Sequence, residues 1–357
     1  MSEPNSSVDV GIPVAGRSRF VAEAIESVLA QTVADWRLWV SADGPLTDEI
    51  RTAVEPYLGD ARIRYSATER RVGAPANKTG LIRSGTAPYV ALLDDDDLWK
   101  PWFLERQLEF LDEHPDAAFV FCANDVVDGS GKVNGRSRAA LPEGVYRPED
   151  FVPYLLEHNP IATPTAVVRR TAYESVGAEF DSRLQTNYDY DMWIRLAVRW
   201  PVGYRRSWDA TYRHHSGQAT IEQRSWRARE MLLLLDNATG YLAAAPERIG
   251  VSDDFVRRER ARWLLSSALN EVEIGDARAA RRQALSAVRL SRRAVKDPKF
   301  ALALGTSLCG ARGARALTSM RTLNLRHGLI GGKLERGHHR LLRRLARRSV
   351  PPARFSR

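Results

Sequence analysis

Apolar residues in the first part of the chain follow two different periods. Val8, Val10 and Ile12 alternate with small or polar residues and stop at Pro13, which predicts a first strand. The next apolar positions repeat every three or four residues, as one face of an amphipathic helix requires: Val21, Ala24, Ile25, Val28 and Leu29. A second strand is predicted at 36–42, so the chain begins with a β-α-β order.

The alternation of strand and helix patterns continues beyond this first unit. We predict strands at 63–67, 89–93, 117–123, 165–169 and 202–206, and helices at 47–58, 72–84, 101–111 and 192–200. Residues 126–148 are rich in Gly, Ser, Arg and Pro and predict an irregular excursion beside the sheet. Because crossover connections are right-handed, this order predicts an α/β fold with a Rossmann-like, mostly parallel sheet flanked by helices.

Acidic residues follow two of the predicted strands directly. The apolar run at 89–93 leads into Asp94, Asp95, Asp96 and Asp97, and Asp43 follows the second strand. Open α/β sheets bind ligands at the carboxyl ends of their strands, so these side chains are candidates for one site. Adjacent carboxylates repel one another, and hard oxygen ligands suit Mg²⁺ or Mn²⁺ with substrate phosphates. A solvated turn or a structural calcium loop is the alternative interpretation.

The net charge of +9 is concentrated at the end of the chain. Residues 333–357 contain nine Lys/Arg and one Glu, which leaves 44 basic and 43 acidic residues before them. A nearly neutral body argues against a nucleic-acid-binding groove, so we expect no nucleic-acid partner. The two cysteines, Cys122 and Cys309, indicate a reducing, cytoplasmic compartment, and no run of 18 apolar residues predicts a membrane span.

Strand patterns end at about residue 225, where Arg, Ala and Leu become dominant. We therefore predict a sheet domain at 1–224, a helical region at 225–332 with paired helices at 255–274 and 276–292, and a basic tail. In that tail, 333–357, leucines share one helical face among arginines. The pattern indicates either a basic amphipathic helix on the inner face of the plasma membrane or a disordered, solubilising tail.

Five segments of the chain occur with the order and spacing of motifs in one enzyme family. They are VDVGIPVAGRSRFVAEAIESVLAQTVADWRLWVSADG, RVGAPANKTG, YVALLDDDDLWKP, NYDYDMWIRLA and YRHHSGQAT. Together they resemble the family-2 inverting glycosyltransferases with a GT-A fold, over about residues 8–220. The resemblance implies metal-dependent transfer of a sugar from a nucleotide-diphosphate donor, usually a UDP-sugar, to a hydroxyl of a glycan or lipid-linked acceptor. Cell-surface polysaccharide synthesis would be the setting.

The resemblance also implies roles for individual residues. On the donor side it implies nucleotide contacts from Pro13, Asp43, Asn77, Arg83, Asp94 and Asp95, and Mg²⁺ or Mn²⁺ ligation by Asp96 and His215. Asp189 matches the base that deprotonates the acceptor hydroxyl, with Asp191 and Arg195 as acceptor or supporting residues. The chemistry requires such groups, since a cation stabilises the leaving diphosphate and a carboxylate on the opposite side of the sugar takes the proton.

The chain departs from the family pattern at two places. Relatives commonly have two acids where this chain has Ala42-Asp43, and Glu-Asp where it has Tyr188-Asp189. The second departure affects the expected acceptor contacts more than the base. Each residue also has a structural interpretation, because Asp43 could form a turn, Asp189 could stabilise a helix start and His215 could be a surface or capping residue.

Other function classes fit the motifs less well. A sugar-phosphate nucleotidyltransferase would need a Gly-rich loop after the first strand, and residues 14–17 contain one glycine. An aspartyl-nucleophile phosphatase would need Asp-x-Asp-x-Thr, and the aspartate run 94–97 is followed by Leu98. The remaining alternative is a catalytically inactive scaffold that binds a nucleotide sugar.

Overall fold

The computed structural model describes residues 6–15, 19–215, 224–245 and 249–308. The chain divides into two compact units, the first comprising residues 1–222 and 241–249 and the second residues 223–240 and 250–357. Residues 241–249 therefore group with the first unit, and the division is not a single cut at 224. The predicted tail, 333–357, lies outside the described residues.

The first unit is built on a mixed sheet. Its strands are β1 Val8–Val14, β2 Trp36–Ala42, β3 Ile63–Ala67, β4 Tyr89–Leu92, β5 Leu98–Trp99, β6 Phe119–Asp128, β7 Val133–Ser137, β8 Gly144–Tyr146, β9 Ala166–Arg169 and β10 Val202–His214. In the described part of the chain the order is β3-β2-β1-β4-β9-β6-β10-β5, with β7 beside β6 and β8 beside β10.

Strand direction decides which chain segments meet at one edge of this sheet. Strands β1 to β4 are mutually parallel, and β9 is antiparallel to both β4 and β6. Because β10 is parallel to β6, it runs in the same direction as β1, β2 and β4. The residues that follow β1, β2, β4 and β10 therefore share one edge of the sheet, the one formed by the carboxyl ends of these parallel strands. The amino end of the reversed strand β9 lies there as well.

Helices cover the sheet and form the second unit. They are α1 Val21–Leu29, α2 Asp48–Val54, α3 Ala74–Arg83, α4 Phe103–Glu113, α5 Pro148–Glu157, α6 Arg170–Ser175, α7 Tyr188–Arg199, α8 Arg224–Ala243, α9 Asp253–Glu273, α10 Ala277–Leu290 and α11 Pro298–Leu308. The apolar face expected for α1 is buried, and all seven residues of β1 are buried beneath the helices. Strand β1 is therefore buried on both faces, although its sequence alternates apolar residues with small or polar ones such as Asp9.

Two sequence-based expectations were wrong in detail. The segment 126–148 is not irregular, because β6 extends to Asp128 and the chain returns as β7 and β8, both antiparallel additions to the sheet. Strand β10 continues to His214 instead of ending at 206. Register shifts between Arg205 and Ala210 let it stay paired with β6 along this length, and such bulges leave no clear sequence signal.

The second unit has its own small core. Helices α9, α10 and α11 pack mainly through alanine and leucine side chains such as Leu265, Ala280 and Ala284. The predicted pairing of the first two helices is observed, and Gly275 turns the chain between them with φ +90°. None of the helices in the described ranges combines the length and apolarity that crossing a bilayer requires.

A buried carboxylate ties the start of β1 to three other segments. Asp9 accepts hydrogen bonds from the Arg170 guanidinium at 2.7 Å, the Ala87 amide at 2.7 Å and the Trp39 indole at 3.1 Å. Gly85 lies against this carboxylate, and a Cβ there would be 2.0 Å from Asp9 Oδ2. The glycine is thus required by the close approach of the chain to Asp9.

We predict that Gly85→Ala lowers the free energy of unfolding by about 2 kcal/mol or more, because the added methyl group must displace the Asp9 carboxylate from its three donors. Gly59→Ala is the matched control, since nothing lies within 4 Å of its Cβ position. Urea unfolding of both variants measures the difference. Equal stability of the two would contradict the proposed packing around Asp9.

Candidate active site

The four consecutive aspartates form a tight turn directly after β4. The Asp97 amide donates to the Asp94 carbonyl at 3.0 Å, and the Leu93 amide extends the β4 ladder by donating to the Gly11 carbonyl at 3.0 Å. We call residues 94–97 the acidic turn. Its position at the shared sheet edge places it beside the ends of β1 and β10.

Two of the carboxylates are held from the side of β1 and α3. Asp94 Oδ1 is 2.6 Å from Lys78 Nζ, and the lysine side chain is only 3% exposed. Asp95 Oδ2 accepts a hydrogen bond from the Ala15 amide at 3.1 Å. The acidic turn is therefore linked both to a buried cation on α3 and to the loop that follows β1.

The other two carboxylates are held by the end of β10. Asp96 Oδ2 is 2.9 Å from His215 Nε2, and Asp97 Oδ1 accepts from the Arg213 amide at 2.7 Å. The Arg213 side chain donates to the Asp96 carbonyl at 2.9 Å and to Glu23 Oε2 at 2.6 Å. Each aspartate thus has a different partner, and the four partners come from three separate segments.

These contacts do not fully compensate the negative charge. Burial, together with the neighbouring Asp96 charge, raises the pKa of Asp95 to about 8. Burial and the Asp94 charge also raise the pKa of Asp96 above its ordinary value, while His215 opposes the shift. Asp97 Oδ2 is buried and has no hydrogen-bond partner in the described part of the chain. An additional positive charge at the acidic turn would therefore be stabilising.

The donor atoms at this turn fit an Mg²⁺ or Mn²⁺ ion whose remaining ligands come from a bound substrate. Asp96 Oδ2 and His215 Nε2 lie 2.9 Å apart, so one carboxylate oxygen and one imidazole nitrogen are neighbours here. Among residues 6–15, 19–215, 224–245 and 249–308, no group of three or more acidic, histidine or cysteine side chains forms a complete metal cage. Magnesium sites commonly use one or two carboxylates and complete their coordination with substrate phosphates and water, so a two-residue set is compatible.

Lys78 lies between the acidic turn and the start of α7. Its ammonium group contacts Asp94 directly and lies 5.2 Å from the centre of the Tyr188 ring, the residue before Asp189. Burial alone would lower the pKa of Lys78, but Asp94, Tyr188 and Asp189 raise it above its ordinary value. Asp189 is thus close enough for its charge to act on the same ammonium group that pairs with Asp94.

Asp189 lies in the first turn of α7 and is partly exposed. Its Oδ2 accepts a long hydrogen bond of 3.4 Å from Thr163 Oγ1, just before the amino end of β9. The helix N-terminus stabilises the ionised carboxylate, as a base requires. The structure therefore brings Asp189 to the same edge as the acidic turn.

Asp191 and Arg195 occupy the interior face of the same helix. Asp191 is fully buried, lies 3.0 Å from Arg195 Nε and accepts from the Tyr241 hydroxyl at 3.0 Å. Arg195 also donates to the Val176 and Glu179 carbonyls at 3.1 and 2.6 Å. These contacts fix the position of α7, and Tyr241 explains why residues 241–249 group with the first unit.

Asp43 and Asn77 organise the loop and helix on the other side of β1. Asp43 Oδ1 accepts from the Val72 and Gly73 amides at 2.7 and 3.2 Å, and Gly73 has φ +88°. Asn77 donates to the Ser41 carbonyl at 2.9 Å and accepts from the Ser41 hydroxyl at 2.6 Å. Pro13, buried near the end of β1, pairs in register with Ser41.

Arg83 is not brought to the acidic turn. It lies at the carboxyl end of α3, is 54% exposed and pairs with Glu179 at 3.1 Å. With Gly85 and Thr86 it lines a cavity of about 370 Å³ at the amino end of β4, whereas the acidic turn follows the carboxyl end of that strand.

Sequence reasoning did not single out Lys78 or Arg213. Both are almost fully buried, a placement that is rare for these residue types, so nothing in the local pattern distinguishes them from surface cations. The one sequence feature that could have identified them is their position beside other candidate site residues: Lys78 follows Asn77 directly, and Arg213 lies within the YRHH segment.

A family model described as Glycosyl transferase family 2 matches residues 9–177. An uncharacterized glycosyltransferase of Rickettsia felis is 30% identical over 199 residues, which are 56% of this chain and 31% of that protein. A candidate colanic acid biosynthesis glycosyl transferase of Escherichia coli, WcaA, is 25% identical over 196 residues, or 55% and 68% of the two chains. The chain spans about a third to three fifths of the length of the Rickettsia felis protein and of two further curated relatives that it matches.

Two solved structures show the same fold. S. aureus TarS 1-349 in complex with UDP-GlcNAc superposes with a TM-score of 0.64 at 14% identity, over 90% of this chain and 92% of that one. The mannosyltransferase PcManGT of Pyrobaculum calidifontis, in complex with GDP-Man and Mn²⁺, gives 0.51 at 14% identity, over 96% and 85%. The expected GT-A type α/β fold is thereby confirmed.

We predict that Lys78→Met lowers the free energy of unfolding by about 2–4 kcal/mol in metal-free buffer, because the buried side of the acidic turn loses its cation. The exposed pair serves as control: Arg83→Gln should cost less than about 1 kcal/mol. Adding Asp94→Asn to Lys78→Met should restore part of the loss. Chemical unfolding measures all three, and equal effects of Lys78→Met and Arg83→Gln would contradict the prediction.

Proposed function

Since residues 9–177 belong to glycosyl transferase family 2, we propose that this chain is a metal-dependent, inverting glycosyltransferase. The observation that carries the proposal is the placement of Lys78, which contacts Asp94 of the acidic turn and lies within Coulombic reach of Asp189. In this proposal one buried cation is close to both the candidate metal and diphosphate site and the candidate base.

The acidic turn supplies the donor side of the proposed reaction. Asp96 and His215 would hold Mg²⁺ or Mn²⁺, which acts as a Lewis acid on the departing diphosphate. Asp95 is tied to the loop after β1, and Asp43 organises the loop before α3; in this proposal both segments would border the nucleotide. Pro13 and Asn77 support these two segments from within the sheet and helix.

Asp189 supplies the acceptor side. Its carboxylate lies at a helix N-terminus, which favours the ionised form, and it is partly exposed. It would take the proton of the acceptor hydroxyl as the hydroxyl oxygen attacks the anomeric carbon from the face opposite the diphosphate, which inverts the configuration. Asp191 and Arg195 would act as supporting residues, because their contacts hold α7 in place.

The substrate classes follow from the relatives as a proposal. The two structural neighbours were solved with UDP-GlcNAc and with GDP-Man, so we propose a nucleotide-diphosphate sugar as donor, a UDP-sugar first. The WcaA relative supports a role in cell-surface polysaccharide synthesis, with a glycan or lipid-linked acceptor. Thermal-shift screening of UDP-, GDP- and TDP-sugars with Mn²⁺ would identify the donor, since ligands of the native state raise its apparent stability.

We predict that Asp189→Asn lowers the rate of sugar transfer from the identified donor by about 10²–10⁴-fold, because the acceptor proton loses its base. Binding of UDP with Mn²⁺, measured by calorimetry, should stay within about twofold, since Asp189 is not a proposed metal ligand. Asp116→Asn, on the exposed surface after α4, is the matched control and should change neither quantity.

Asp96→Ala should have the complementary effect. Because removing even an outer-shell partner of a metal ligand typically costs about tenfold or more in metal affinity, loss of a direct ligand should weaken Mn²⁺-dependent UDP binding by at least about tenfold. UDP binding that needs no cation and tolerates this substitution would refute the metal site. Intact donor binding with no transfer in the unaltered protein would favour the inactive scaffold instead.

A further inference from the structure

One stretch of the second unit has an unusual charge pattern. Residues 277–296 contain seven Lys/Arg and no Asp or Glu. The near-neutral charge of the chain before residue 333 conceals this stretch, because acidic residues elsewhere balance it. The segment comprises α10 and the short 3₁₀ helix Arg292–Lys296 that follows it.

Six of the seven cations of this stretch are exposed, whereas Arg281 is half-buried and donates to the Ser307 carbonyl at 3.1 Å. On α10, Ala280, Ala284 and Ala287 are buried against the neighbouring helices. Arg278, Arg282, Leu285 and Arg289 recur at intervals of three and four residues on the opposite side of the helix, and all four are exposed. The exposed residues Arg292, Arg293, Val295 and Lys296 continue beyond the helix end. We call these eight residues the basic face.

The carboxylates of the described residues leave the charge of the basic face uncompensated. Within the described ranges, no ion pair joins any of its six cations to a carboxylate. The adjacent helix α9 behaves differently, since Arg258 and Arg262 pair with acids on the same helix and Arg260 pairs with Asp236. An ordinary solvated helix surface mixes both signs as α9 does, and the basic face does not.

Apolar side chains are exposed among these cations. Leu285 is 48% exposed and Val295 is 52% exposed, although small alanines fill the interior positions of the same helix. Arginine has a long apolar stem and can keep its guanidinium in the headgroup layer while Leu285 and Val295 enter the acyl boundary. Polyanions such as RNA would use the cations but would gain nothing from the two aliphatic side chains.

We propose that the basic face is a docking surface for an anionic lipid bilayer. Its six cations, none of which pairs with a carboxylate of the described residues, complement the negative headgroups through short-range attraction, and the two aliphatic side chains add a shallow apolar contact. This surface consists of described residues of the second unit and includes none of the residues 333–357 of the basic tail. The inference does not depend on glycosyl transfer, because bilayer binding is measured without any substrate.

The test is sedimentation of the full chain with vesicles of phosphatidylcholine alone and of phosphatidylcholine mixed with phosphatidylglycerol. Binding should require the anionic lipid and should weaken as salt is added. The triple variant Arg278→Gln/Arg282→Gln/Arg289→Gln should lower the partition coefficient on the order of a hundredfold at low salt, from about fivefold per cation. Glutamine keeps helix propensity, so thermal unfolding should be unchanged.

The control removes three exposed arginines from the first unit: Arg51→Gln/Arg138→Gln/Arg147→Gln. It should retain most of the vesicle binding. An equal loss in this control would show that only net charge matters, and unchanged binding in the first triple variant would show that another segment binds the lipid. Either result overturns the proposal.

A second variant separates a bilayer from other polyanions. Leu285→Ser/Val295→Ser should lower vesicle partition by about tenfold, because two partly inserted side chains lose apolar contact. Binding to single-stranded RNA, measured with the same protein, should not change. Vesicle binding that is insensitive to this pair would overturn the proposal, since the surface would then treat a bilayer as any other polyanion.

Discussion

The structure of the first unit depends on keeping four adjacent carboxylates together at the end of β4. Two unit charges 4 Å apart repel by about 1 kcal/mol in water and by about 4 kcal/mol near a protein surface, so an unsupported turn of this kind would be costly. The acidic turn is supported by Lys78 from α3, the Ala15 amide after β1, and Arg213 and His215 at the end of β10. Burial still raises the pKa of Asp95 to about 8, which leaves the turn suited to a further cation.

Strand direction makes this support possible. Strands β1, β2, β4 and β10 run the same way, so partners separated by more than a hundred residues meet at one edge. Helix α3 then links two sides of the site. Its Asn77 is fixed to β2 through Ser41, and the next residue, Lys78, reaches both Asp94 and the ring of Tyr188. Tyr188 lies beside the lysine that offsets the acidic turn.

The two units present opposite electrostatic character. The first concentrates buried acids at a sheet edge, and the second presents a basic face on α10 and the turn after it. A whole-chain charge count does not reveal this separation, because an arginine paired with an acid, such as Arg258 or Arg262 on α9, counts the same as an exposed arginine of the basic face. Only exposure and pairing distinguish cations that stabilise the fold from cations available to an anionic surface.

Local pattern by itself determined the early elements: the two-residue period of β1, the single apolar face of α1, and the placement of Asp43 and the acidic turn at strand ends. These features depend on residues only a few positions apart, so they can be read from the sequence. The tertiary structure alone decided that Lys78 is buried against Asp94, that Arg83 lies at the other end of β4, that Asp191 is enclosed by Arg195 and Tyr241, and that β7 and β8 join the sheet. Each of these outcomes depends on contacts between distant segments, and the energy of such a contact is set by burial and charge that exist only after the chain has folded.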